Sequence, residues 1–95
     1  MNNQDCLSLV YDGIRRVNEI RPPEKRVPER PDVVLVGDQG MLDSLSFTTL
    51  ILTLENRLRE SVGKDIPLMQ EADFETMTQQ FRTPRAIAEL IAGKL

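Results

Sequence analysis

Between Ser44 and Val62 the apolar residues Phe47, Leu50, Ile51, Leu54 and Leu58 recur at intervals of three and four, a spacing that gathers them on one face of an α-helix. Gly63 follows at once and Pro67 soon after. Glycine tolerates the left-handed conformation that closes many helices, so the pattern predicts a helix over 44–62. A helix with one apolar stripe needs other elements to cover it, and the rest of the chain offers more helices. From Gln4 to about Ile20, Leu7, Val10, Ile14 and Val17 repeat the same spacing. Asn2 or Asn3 can cap that helix, and Pro22-Pro23 stops it for want of backbone donors. Asp73 can cap a short third helix with Phe74, Met77 and Phe81 on one face. Thr83-Pro84 opens a fourth as cap and first-turn proline, with Ile87, Leu90 and Ile91 inward and Gly93 at its end.

The connection from Arg21 to Asp43 holds Pro22, Pro23, Pro28, Pro31, Gly37 and Gly40 around a single apolar run, Val33 to Val36. It exceeds the usual loop length, so its own apolar residues have to pin it. A strand at Val33–Val36 lacks a second β-branched run to pair with; an extended or single-turn segment laid across the helices fits better. The basic residues between Arg15 and Arg30 alternate with Glu19, Glu24 and Glu29, the pattern of a solvated linker. With 95 residues, the expectation is one domain over 1–95, all-α, with four helices, a long first loop and a short third helix.

Several function classes are disfavoured by what is missing. There is no histidine and a single cysteine, Cys6, so the Ser-His-Asp and Cys-His nucleophile systems, an internal disulfide and thiolate metal clusters all lack their parts. No catalytic residue and no metal ligand is expected. A formal charge of −3 opposes a nucleic-acid partner. The polar start Met1-Asn2-Asn3-Gln4-Asp5 lacks the features of a secretory signal, and no apolar run approaches membrane-spanning length, so a cytoplasmic protein that does not span the membrane is expected.

The chemistry concentrates in Gly40-Met41-Leu42-Asp43-Ser44-Leu45, where a glycine turn and an acid deliver a serine to the start of the strongest helix. Helix N-termini carry unpaired N–H groups and a partial positive charge, which favour an anion there. Asp43 or Ser44 also serves as an N-cap. Neither completes a capping box, because the residue three positions on is Ser46 or Phe47.

Gly-x-x-Asp-Ser-Leu opening the second helix of a four-helix chain resembles the acyl carrier protein family, and Phe81-Arg82-Thr83-Pro84 followed by Ile87-Ala88 is similar to that family's entry into its last helix. The resemblance implies a non-enzymatic carrier, acting as a monomer, whose Ser44 receives 4′-phosphopantetheine from coenzyme A through a phosphopantetheinyl transferase and magnesium, with Asp43 as the adjacent acid that the transferase engages. It implies an apolar cleft lined by residues such as Leu50, Ile51 and Leu54, and loading enzymes and acyltransferases as partners. They would dock on the face of Leu45, Thr48 and Leu52, with Glu55 contributing charge. Fatty-acid carriers have an acid-rich second helix; here the outward face reads Ser46, Thr49, Thr53 and Asn56, with Arg57 and Arg59 beyond, and only Glu55 and Glu60 acidic. That departure points to weaker steering and to a specialised lipid, polysaccharide or secondary-metabolite pathway. The motifs are similar to D-alanyl and other aminoacyl carriers as well. An unmodified helical interaction module is the alternative from a different class.

Overall fold

The computed structural model describes residues 2–37, 40–68 and 78–95. Three α-helices lie entirely within these residues, α1 (Asn3–Glu19), α2 (Ser44–Val62) and α3 (Pro84–Lys94), together with a 3-10 turn at Pro23–Lys25; no described residue is in a strand. The helix expected fourth is thus α3. Most of the expected short helix, including Asp73, Phe74 and Met77, lies outside the described residues. Residues 78–80 are helical, and Phe81 is fully buried, meeting Phe47 edge-on with ring centroids 5.5 Å apart.

Each helix begins where local chemistry supplies a cap. Asn2 and Asp5 form a reciprocal capping box at α1: the Asp5 N–H donates to Asn2 Oδ1 at 2.8 Å and the Asn2 N–H to Asp5 Oδ2 at 3.3 Å. Thr83 Oγ1 accepts the Ala86 N–H at 3.1 Å, with Pro84 in the first turn of α3. At the other end of α2, Gly63 takes φ 78° and returns its N–H to the Arg59 carbonyl. Gly93 does not end α3: it lies outside the left-handed region, and the helix runs on to Lys94.

The core is organised around α1, which packs against both α2 and α3. Its buried face is Cys6, Leu9, Val10, Gly13, Ile14 and Val17; Leu7, expected in that stripe, is only half-buried at its edge. Gly13 marks the closest approach, since a Cβ there would stand 2.7 Å from Leu50 Cδ1 and 3.1 Å from Leu54 Cδ2. Leu50, Ile51, Leu54 and Leu58 of α2 and Ile87, Ala88 and Ile91 of α3 complete the cluster.

The described part of the long connection is tied down at several points, and its charged first half, mostly exposed as the charge pattern implies, is anchored at one buried residue. Val27 is buried, its N–H donating to Asn18 Oδ1 at 2.8 Å and its carbonyl accepting from Asn18 Nδ2 at 3.0 Å. Arg15 pairs with Asp12 and, across the turn, with Glu29. The Arg85 N–H, near the start of α3, donates to the Pro31 carbonyl at 3.0 Å. The expected pinning at Val33–Val36 centres on Leu35, fully buried, whose N–H donates to the Arg82 carbonyl at 2.6 Å. The chain then doubles back, with the Met41 and Leu42 N–H groups donating to the Val34 and Leu35 carbonyls. Gly37 makes the turn at φ 92°, and at Gly40 a Cβ would lie 2.7 Å from both Leu35 O and Val36 Cα. Backbone crosses backbone there, so that position has room only for glycine.

Candidate functional site

The doubled-back segment delivers the chain directly into α2. Asp43 is the N-cap, with extended backbone and Oδ1 accepting the Ser46 N–H at 2.7 Å. Ser44 is therefore the first helical residue, and it is exposed. Of the two capping alternatives the structure selects the acid, which leaves the serine hydroxyl outside the cap. Ser44 stands among the leading N–H groups of α2, at the positive end of its macrodipole.

Behind Ser44 lies a polar chain that the sequence reading missed. Ser46 is buried, contrary to its expected place on the outward face. It precedes Leu50 by one helical turn, and that i, i+4 relation to a core leucine was the available signal. Arg21, just past α1, donates from Nη1 to Ser46 Oγ at 3.3 Å and from Nη2 to the Met41 carbonyl at 3.0 Å. Hydrogen bonds from the Ser46 N–H and then the Ser46 hydroxyl, with smaller help from the Arg21 and Lys25 charges, hold the Asp43 carboxyl below the ordinary carboxylate range.

A hollow of about 200 Å³ opens beside Ser44, walled by Val36, Leu42, Phe47 and Thr78. Leu50, Ile51 and Leu54, which the family resemblance would set along a cleft, are instead packed into the core, two of them against Gly13. A wider hollow of about 650 Å³ sits by Ser61, Lys64, Asp65 and Lys94, at the far end of α2 and so roughly 25 Å along the helix from Ser44.

The outward face beside Ser44 carries two exposed leucines, Leu45 at 72% and Leu52 at 56%. Thr48, between them, turns its hydroxyl back to the Ser44 carbonyl at 2.9 Å, as Thr49 and Thr53 do to the carbonyls one turn before them. The Thr48 hydroxyl is thus engaged by the helix backbone, and the strip is more apolar than its composition implies. Glu55 differs from expectation: half-buried, it accepts the Leu68 N–H at 3.0 Å through Oε2 and so anchors the segment after α2. Comparison of the chain with models of known protein families, with characterised proteins and with solved structures finds no match.

Proposed function

We propose that this chain is a carrier protein of the acyl carrier type, bearing 4′-phosphopantetheine on Ser44 and passing thioester-linked acyl groups between partner enzymes. The observation that carries the reading is the exposed Ser44 hydroxyl on the first residue of α2, directly after a capping acid. The residues fit the group: Ser44 is not buried, the helix end favours a phosphodiester, and the hollow beside it leaves room next to the attachment point.

In loading, Ser44 Oγ attacks the phosphorus of coenzyme A that bears the pantetheine. The bond to the neighbouring phosphate breaks, the nucleotide half leaves, and the hydroxyl proton passes to a base of the transferase. Asp43 holds the helix start through Ser46 and, being exposed beside the serine, is the acid that the transferase and its metal would engage. When bound, the group supplies a terminal thiol on which acyl or aminoacyl groups ride as thioesters. Leu45, Thr48 and Leu52 give partner enzymes an apolar strip next to the tether. Only Glu55 and Glu60 are acidic on the outward side of α2, where Arg57 and Arg59 are exposed as well and Arg59 pairs with Asp65, so the docking face carries little net acidic character. This favours dedicated partners over general fatty-acid enzymes.

The exposed leucines also fit a second reading, an unmodified helical module that binds a partner helix through the same strip. Mass spectrometry separates the two. Incubation with coenzyme A, magnesium and a broad-specificity phosphopantetheinyl transferase is expected to add one phosphopantetheine to the wild type and none to Ser44→Ala. An unchanged wild-type mass across a panel of transferases overturns the carrier.

A further inference from the structure

Arg21 lies 20 residues before Met41 and 25 before Ser46, yet it bonds to both. Met41 precedes Ser44 and Ser46 follows it, so one guanidinium grips the peptide on either side of the serine. Through Ser46 the contact continues to the cap, because Ser46 gives its N–H to Asp43 Oδ1. We propose that Arg21 is a positioning residue for the loading of Ser44: it clamps the 41–46 peptide to the end of α1 and so fixes the direction in which the Ser44 hydroxyl is presented. This inference rests on the carrier reading.

The chemistry of the side chain suits the task. A guanidinium is a planar fork that reaches two acceptors at once in fixed geometry, whereas an ammonium is a point donor on a flexible stem. The two acceptors, a backbone carbonyl before the serine and a half-turn hydroxyl after it, belong to different local structures, a loop and a helix. Without the fork the loop can shift against the helix start. Orientation of a nucleophile acts on the chemical step more than on docking, and the Leu45–Leu52 strip on which docking is placed does not involve Arg21.

The test uses the full chain as wild type, Arg21→Gln, Arg21→Lys and, as a control elsewhere on α1, Arg15→Gln. Steady-state loading by a transferase is measured with kcat and KM resolved for the carrier, and amide hydrogen exchange is followed in each unloaded protein. Arg21→Gln is expected to lower kcat about ten-fold with KM little changed. Exchange at 41–46 accelerates, while exchange at 50–58 stays as in the wild type. Arg21→Lys, keeping charge without the fork, stays close to Arg21→Gln, and Arg15→Gln loads within about two-fold of wild type, as a surface ion pair predicts. Full rescue by lysine, wild-type kcat in Arg21→Gln, or unchanged exchange at 41–46 each overturns the clamp. A wild type that does not load overturns the carrier reading itself and this inference with it. A wild type that loads beside an unaffected Arg21→Gln overturns this inference alone.

Discussion

The carboxylate of Asp43 caps α2 and stands next to the residue on which the proposed function rests, so its protonation joins stability to the site. Its folded pKa lies below the unfolded value of about 3.9. The stabilisation linked to this shift is present above the unfolded value and is lost as pH falls through the folded one. Asp43→Asn keeps an acceptor for the Ser46 N–H but carries no charge. The variant is therefore expected to melt below the wild type at pH 7, with the gap narrowing as the pH drops below about 4. Thermal midpoints by circular dichroism at pH 7 and pH 3 check this; a gap independent of pH removes the charged cap from the account. The Asp43-Ser44 pair was legible in the sequence because capping is local chemistry, read within four residues. Arg21 and Ser46 were not, since the bond between them joins residues far apart in the chain. The contact of Glu55 was not legible for the same reason: its partner, the Leu68 N–H, belongs to a segment whose path no helical periodicity describes.

The ends of α2 were readable from the residues alone, because Asp43 and Gly63 each act within one turn of the helix. The end of α3 was not, as glycine permits the left-handed stop without requiring it, and Gly93 stays helical. The contact between α1 and α2 turns on Gly13, whose missing side chain admits Leu50 and Leu54. An alanine there gains about 1 kcal/mol of helix propensity. It also sets a methyl 2.7 Å from Leu50 Cδ1 in a filled core, and overpacking costs about 1–3 kcal/mol. Gly13→Ala is thus expected to be destabilised by about 1 kcal/mol, the difference between those terms, read as a lower urea midpoint. A raised midpoint would mean that Leu50 has space to turn away. The long connection was the least legible element: Val33–Val36 was recognised as its anchor, but Val27, isolated among prolines and charges, gave no periodic sign of burial. Its fixing comes from Asn18, one bidentate side chain across a turn.

Across the whole molecule, residues of the connection and of the helices share one apolar cluster: Val27 and Leu35 join Val10, Ile14, Leu54 and Ile87 in it. Truncating a loop leucine therefore acts like truncating a helical one. Leu35→Ala is expected to cost about 2–5 kcal/mol and to lower the urea midpoint in a single transition with the slope unchanged. Loss of structure confined to the connection, with the helical signal intact at low urea, would show that the loop is a separate unit. No described helix is long and apolar enough to cross a membrane.

One thiol in this chain is sealed away. Cys6 faces inward from the first turns of α1 with no exposed surface, and burial pushes its ionisation upward, so in the native state its sulfur is both hidden and poorly nucleophilic. If Ser44 bears a thiol-ended tether, alkylating or thioester-forming reagents meet a single reactive sulfur on the folded protein, at the tip of the arm, and the cargo cannot migrate to the chain's own cysteine.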